Sequence, residues 1–300
     1  MKNLGIDIGG TSIKYGVVDG TNLISNFEIT NQFESVQEFK TSIINLVEDI
    51  SQKEEFNSIG IAFPGNINID GTIQSSPNLS FLEGQNIFDL LSNANFNIRV
   101  ENDAYLAALA ESKTNDLNEY YFVTLGTGIG STLIRNGELV KSNSGSSGEL
   151  GHTVLNFQDA NDDYRSGIFE SYFNNSEFVS RAKSDLKNFP NSVLNSLDSF
   201  TPREISDSSK LGDDLSIITI MEMGKILGIG LSSAANLTGI PIFVIGGGIS
   251  NMTSLLFDTA LKTMKKRVIP ELKDKVDIRI SKNKNFAGII GAALYTKEIK

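Results

Sequence analysis

The sequence predicts an α/β protein made of two related halves, on three observations. Short apolar runs of strand type alternate with helical patterns, which implies sheets with a parallel component. Gly9 and Asp19-Gly20 return as Gly126 and Asn136-Gly137 at one constant offset of 117 residues, between strands in the same order, and a duplicated unit is the economical reading. The 300-residue chain also exceeds the size at which one hydrophobic core usually stops growing, so two domains are expected. We place them at residues 1–112 plus 286–300 and at residues 113–285.

Each element follows from its local pattern. Leu4 to Ile8 is an apolar run closed by Gly9-Gly10, and Ile13 to Val18 ends in Asp19-Gly20, a two-residue hairpin signal, so three strands open the chain. Ser35-Val-Gln-Glu38 reads as a capping box before a helix that carries Val36, Phe39, Ile43, Leu46, Val47 and Ile50 on one face. Ser58 to Phe63 reads as a buried strand ended by Pro64-Gly65, Arg99 to Glu101 as the end of another, and Asp103 to Ser112 as a helix leaving it. In the second half, Tyr121 to Leu125 and Ile129 to Ile134 are strands on either side of Gly126-Thr127-Gly128. A polar stretch covers Asn156 to Ser166, a helical region follows Gly167, and a Ser- and Asn-rich passage to Ser209 reads as an exposed connection.

Asp214 to Leu237 carries a long apolar helical pattern. Its internal glycines, Gly224, Gly228 and Gly230, each cost about 1 kcal/mol against Ala in a helix, which points to close packing or a ligand near the backbone. Ile242 to Ile245 is a strand ending in Gly246-Gly247-Gly248, and Ser250 can cap a helix reaching Lys266. Val276 to Ile280 makes a late strand, and Phe286 to Tyr295 a small-residue helix able to pack back on the first domain.

Charge narrows the function. With 26 Lys and Arg against 36 Asp and Glu, the net charge is -10, which opposes nonspecific attraction to nucleic acid or anionic lipid. Neither nucleic acid nor membrane is expected as a partner. Zero cysteines exclude disulfides, thiolate zinc sites and a Cys nucleophile. Met1 to Asp7 lacks the apolar core of a secretory signal, and no run of about 18 apolar residues is read in the chain, so a cytoplasmic protein is expected.

Two glycine turns carry the chemistry: Asp7-Ile-Gly-Gly-Thr11 and Leu125-Gly-Thr-Gly-Ile-Gly130. Backbone amides freed in such turns, with hydroxyls nearby, suit phosphate oxygens. Neither turn is a Walker loop or a dinucleotide fingerprint, and such a turn taken singly is more often just a hairpin turn. Asp7 differs, because a carboxylate at the end of an apolar strand is desolvated unless a cation, water or donor answers it.

At these residues the sequence resembles the ROK family of bacterial sugar kinases and repressors, within the broader actin-like ATPase architecture. The resemblance rests on Asp7-Ile-Gly-Gly-Thr11, Pro77-Asn78-Leu79, Glu101-Asn102-Asp103, Leu125 to Gly130, Glu149-Leu-Gly-His152, Gly167-Ile-Phe-Glu170 and Ile245-Gly-Gly-Gly-Ile249, which span nearly the whole chain. It implies two ribonuclease H-like domains with an active-site cleft between them. ATP and Mg²⁺ are the implied nucleotide and metal, and a hexose is the implied substrate, probed at its 6-OH in glucose or at a hydroxyl of fructose, mannose or an N-acylated amino sugar.

By that resemblance Asp103 is the catalytic base, although Asp at this point also reads as a plain helix N-cap. Asp7, Gly9, Gly10, Thr11, Gly126, Thr127, Gly128, Gly247 and Gly248 are implied for ATP, with Asp7 holding Mg²⁺ through water. Gly65, Asn78, Asn102, Asp103, Glu149, His152 and Glu170 are implied for the sugar. The departure from the family pattern is at its zinc loop, where Asn161, Asp163 and Ile168 stand near the positions of three cysteines that join the histidine, so no structural zinc is expected. Asp159, Asn161, Asp163 and Glu170 fall at calcium-loop spacing, but Tyr164 replaces the required glycine. A homodimer stays open, since no interface is readable. Three rivals remain: a catalytically silent sugar-binding regulator of the same family; a repressor, which would need a DNA-binding segment before Asp7; and an actin-like ATP switch or chaperone module without a small substrate, which would not need Asn78, Asn102, Glu149, His152 and Glu170 together.

Overall fold

The protein is described here from a computed structural model that covers residues 1–68, 70–76, 78–92, 96–140 and 148–296. Pro77 of the Pro-Asn-Leu motif and residues 297–300 of the expected first domain lie outside the described residues. By its internal contacts the chain divides into two units. Met1–Asn118, Ile134–Ser146 and Lys282–Lys300 form one, Glu119–Leu133 and Ser147–Ser281 the other.

The chain opens with β1 (Lys2–Ile8), β2 (Ser12–Asp19), β3 (Asn22–Leu23), β4 (Phe27–Thr30) and α1 (Val36–Ser51). It continues through β5 (Ser58–Phe63), β6 (Asn66–Ile67), β7 (Ile73–Ser75), α2 (Ile87–Leu90), β8 (Asn97–Asn102) and α3 (Asp103–Asn115). Then come β9 (Tyr120–Leu125), β10 (Ile129–Arg135), β11 (Glu138–Leu139), α4 (Phe169–Tyr172), α5 (Asn175–Asp185), α6 (Pro202–Lys210) and α7 (Asp214–Thr238). The last elements are β12 (Ile242–Gly246), α8 (Ser254–Arg267), β13 (Asp277–Ile280) and α9 (Ala287–Tyr295).

The two large sheets share one strand order, β3-β2-β1-β5-β8 and β11-β10-β9-β12-β13. β1, β5 and β8 pair in parallel, as do β9, β12 and β13, and β1 pairs antiparallel with β2. This shared order is what a duplicated unit produces. In β1 the side-chain alternation of a strand sends Leu4, Ile6 and Ile8 into a core with Phe39, Ile43 and Val47 of α1. Gly5 and Asp7 take the opposite face, where α9 lies. A Cβ on Gly5 would meet the Ile289 carbonyl, and one on Gly288 the Asp7 carboxylate. Helix α9 thus approaches the sheet at backbone distance, and that approach gives Asp7 its environment.

Several local expectations are corrected. A fourth strand, β4, joins the opening three and pairs with β2. The first hairpin turns on Gly20-Thr21, because Asp19 pairs with Asn22 and only Gly20 has positive φ, 64°. In the second hairpin Asn136 and Gly137 both have positive φ, the geometry that Asn-Gly favours. Ser35 accepts from Glu38 N–H, but the Glu38 carboxylate reaches the Glu34 N–H rather than that of Ser35, so the capping box is half formed. Thr253 rather than Ser250 caps α8.

The Ser- and Asn-rich passage before residue 209 is not an exposed connection. It contains α5 and α6, and Ser206, Ser208 and Ser209 are buried. Thr201 and Glu204 form a complete capping box with Pro202 at the first turn, and Ser206 Oγ accepts from Thr253 N–H at 2.9 Å. Hydroxyls that find partners can be buried, which composition does not reveal.

Helix α7 holds no unbroken apolar run of membrane length, but its average composition is apolar. That helix is, by length and composition, apolar enough to cross a membrane, and Gly, Ser and Thr interrupt the run that a count of unbroken apolar residues would find. Yet 61% of its most apolar stretch is buried within the protein. Gly224 lies against Leu256 and Thr259, Gly228 against Ala260 and Thr263, and Gly230 against the Phe169 ring. Close packing accounts for these glycines.

Candidate active site

Five segments of the first unit converge. Asp7 ends β1, where it lies opposite Lys14 and beside Ala62. Gly9 N–H donates to Ser12 O at 2.9 Å, closing the turn, while Gly10 and Thr11 N–H carry no hydrogen bond among the described residues. Those are the free donors that phosphate oxygens require. A Cβ on Gly10 would stand 2.9 Å from Asn78 Cγ, so the exposed Asn78 side chain lies over the turn. Asn78 follows Ser76, whose hydroxyl donates to Pro64 O at 2.7 Å, and Asn102 Nδ2 donates to Gly65 O at 3.2 Å.

Asn102 also settles which residue caps α3. Its Oδ1 accepts from Tyr105 N–H at 3.2 Å, so it is the N-cap and Asp103 is the first helical residue. The cap reading of Asp103 is thereby overturned. Asp103 Oδ1 accepts from Ala104 N–H at 2.8 Å, and the residue's own N–H also acts on the carboxyl. Burial pushes the Asp103 carboxyl above the usual carboxylate range, against the lowering effect of the Ala104 N–H. Burial, with the charge of Asp103 added and Lys14 opposing, pushes Asp7 up to about 7.

This pair fits a hard divalent cation. Mg²⁺ is usually bound by one or two carboxylates with substrate phosphates completing its shell, and two neighbouring desolvated carboxylates are unfavourable until a cation answers them. Among the described residues no hydrogen bond satisfies Asp7. Among the described residues no cluster of three or more His, Asp or Glu could hold a metal unaided.

The second unit builds its own set. Gly126 N–H donates to Gly128 O at 3.1 Å and Asn175 N–H to Gly126 O at 2.9 Å, while Thr127 and Gly128 N–H carry no hydrogen bond among the described residues. Glu170 Oε2 accepts from Ile129 N–H at 2.8 Å and lies where a Cβ on Gly128 would stand. The Glu149–His152 segment packs on the same strand: a Cβ on Gly151 would stand 2.6 Å from Ile129 O. Glu149 and His152 are exposed. Gly247, φ 79°, lies against the Leu125 backbone, and a Cβ on Gly248 would meet nothing within 4 Å. Gly248 opens into a groove of about 600 Å³ that Asn175, Thr201, Arg203, Lys210 and Met252 also line. The α6 wall of this groove escaped the sequence reading, which took that passage for a connection.

Beside the polar stretch from Asn156 to Ser166, the His152 and Tyr164 rings stack at 6.1 Å. Asn156 Nδ2 and the Tyr172 hydroxyl donate to Asp159, and Arg165 N–H donates to Asp163. The oxygens at calcium-loop spacing are thus engaged in separate hydrogen bonds. Asn31 and Gly288, which touch the first turn and Asp7, were also missed. A glycine opening an Ala- and Gly-rich helix was a signal for the second; nothing local marks the first.

Residues 3–299 match the ROK family model, and the chain belongs to this family. It is 27% identical over 309 residues to a glucokinase of Streptomyces coelicolor, covering 98% of this chain and 97% of that one. It is 28% identical over 307 residues to an N-acetyl-D-glucosamine kinase of Mannheimia succiniciproducens, covering 96% and 97%. A crystal structure of a ROK family glucokinase from Streptomyces griseus, in complex with glucose and AMPPNP, is similar with a TM-score of 0.79 at 25% identity, covering 98% of this chain and 99% of that one. The fold is the actin-like two-domain architecture of these kinases.

Proposed function

We propose that the protein is an ATP-dependent sugar kinase acting on a hexose hydroxyl, the 6-OH of glucose or of a close relative such as an N-acylated amino sugar. The observation that carries this reading is Asp103: its carboxyl is buried at the start of α3, its Oδ1 is held by the Ala104 amide, and its charge acts on Asp7, whose strand leads into the turn with the unengaged amides of Gly10 and Thr11. A carboxylate raised by burial is a better proton acceptor near neutral pH.

In this reading the Asp103 carboxylate accepts the proton of the sugar hydroxyl as the sugar oxygen forms its bond to the γ-phosphorus. The bond from the γ-phosphorus to the bridging oxygen breaks, and ADP leaves. The unengaged amides of Gly10, Thr11, Thr127 and Gly128 hold phosphate oxygens, and preorganised donors of this kind need no rearrangement as charge builds up. Mg²⁺ held by Asp7 through water supplies charge neutralisation on the phosphates. Asn78, Asn102, Glu149, His152 and Glu170, with the backbone at Gly65, are assigned to the sugar. Their amide, carboxylate and imidazole groups suit vicinal hydroxyls, and a wrong sugar leaves groups that it covers unpaired. Gly247 and Gly248 leave room for the nucleoside beside α6. A cytoplasmic location belongs to the same proposal.

An ATP-coupled assay of ADP release over a panel of hexoses and amino sugars tests it. Turnover with one sugar names the substrate. Sugar binding without sugar-stimulated ADP release would instead support the silent regulator.

A further inference from the structure

The first glycine turn is held by a residue distant from it in sequence. Pairing between β2 and β4 runs from Tyr15 opposite Phe27 to Ser12 opposite Thr30, so Asn31 is the next position and lies level with the turn. Its backbone N–H donates to Thr11 O at 2.9 Å, and its side-chain Nδ2 donates to Gly9 O at 2.6 Å. Asn31 is only 7% exposed. Its Oδ1 is buried with no hydrogen-bond partner among the described residues, so both of its contacts to the turn come from donors, the backbone N–H and Nδ2.

A trans peptide points its C=O and the following N–H in opposite directions. Drawing Gly9 O toward Asn31 therefore turns Gly10 N–H away from it, and Gly10 N–H is one of the amides left without a partner. A Cβ on Gly10 would crowd Asn78, so the orientation of this peptide plane also sets the space beside the sugar-assigned asparagine.

We propose that Asn31 is the positioning residue of the phosphate-binding turn, aiming Gly10 N–H at the terminal phosphate of the nucleotide. The inference rests on the reading of Gly9 to Thr11 as a phosphate turn. Asn31→Asp keeps the shape of the side chain but sets an acceptor against Gly9 O; Asn31→Ala removes the contact altogether.

Calorimetric titration with Mg²⁺-AMPPNP, Mg²⁺-ADP and sugar separates the outcomes. Both variants are expected to lose about tenfold in AMPPNP affinity, the worth of roughly one neutral hydrogen bond. ADP affinity falls less, and sugar affinity and melting temperature change little. Unchanged AMPPNP affinity in folded Asn31→Asp overturns the proposal. So does an equal loss for AMPPNP, ADP and sugar, which marks a merely structural role. If the wild-type protein binds AMPPNP but phosphorylates no sugar, the kinase reading fails, and the affinity comparison still decides the role of Asn31.

Discussion

The Asp7 carboxyl lies close enough to Asp103 for that neighbour's charge to add to burial in pushing it up to about 7. Two acids from different elements, the end of β1 and the first residue of α3, therefore share one desolvated place. The Ala104 amide engages Asp103 and among the described residues no hydrogen bond engages Asp7, so their environments differ as their proposed tasks do.

Asp103→Asn is expected to bind sugar normally and to lose phosphoryl transfer by about 10²- to 10⁴-fold, the usual worth of a general base. Coupled ADP release and sugar titration on the same preparation measure both. Near-normal turnover would remove Asp103 from the mechanism.

The Asp7 shift makes unliganded stability depend on pH. The unfolded carboxyl titrates near 3.8 and the folded one at about 7. Between those values the folded state retains a proton that the unfolded chain has released, so this group subtracts stability as pH rises, about 1 kcal/mol per pH unit, and the loss levels off above 7. Melting curves without nucleotide should show Asp7→Asn gaining on the wild type from pH 4 to pH 8. A constant difference across that range contradicts the assignment.

Glu170 and Ile129 give a third test. Glu170→Gln keeps an oxygen for the Ile129 N–H, whereas Glu170→Ala leaves the turn at Gly126–Gly128 unclasped. Amide exchange at Ile129 should rise in the alanine variant and stay near wild type in the glutamine variant. Equal exchange in all three proteins would deny Glu170 this hold.

Gly248 and Gly60 should separate fit to ligand from fit to fold. A Cβ at Gly248 meets nothing, whereas one at Gly60 meets the Ala292 backbone. Gly248→Ala is expected to leave the melting temperature unchanged while weakening nucleotide binding. Gly60→Ala should destabilise the protein by about 1–3 kcal/mol or more, as overpacking does. Calorimetric melting and nucleotide titration read both.

Much of the fold was legible because its signals are short-range. The strand at Ser58–Phe63, the α1 face from Phe39 to Ile50 and the Asn136-Gly137 turn each follow from the period or chemistry of adjacent residues. The failures have a common cause. Ser206, Ser208 and Ser209 look like loop residues until a partner such as Thr253 N–H, 47 positions away, is known. Asn102 and Asp103 are neighbours with similar capping ability, and which one caps α3 depends on where the helix leaves β8.

The sequence by itself determined most element types outside β4 and the passage that holds α5 and α6, the two glycine turns and the repeated order of strands, since periodicity and turn chemistry act over a few residues; it singled out Asp7 by its place in an apolar strand and Asp103 by the family resemblance. Only the tertiary structure decided that Asn31 grips Gly9, that Glu170 holds Ile129 and that Gly288 seats α9 on Asp7. Those choices depend on which distant segments pack together. A hydrogen bond or a close backbone approach is set by that packing and leaves no pattern along the chain.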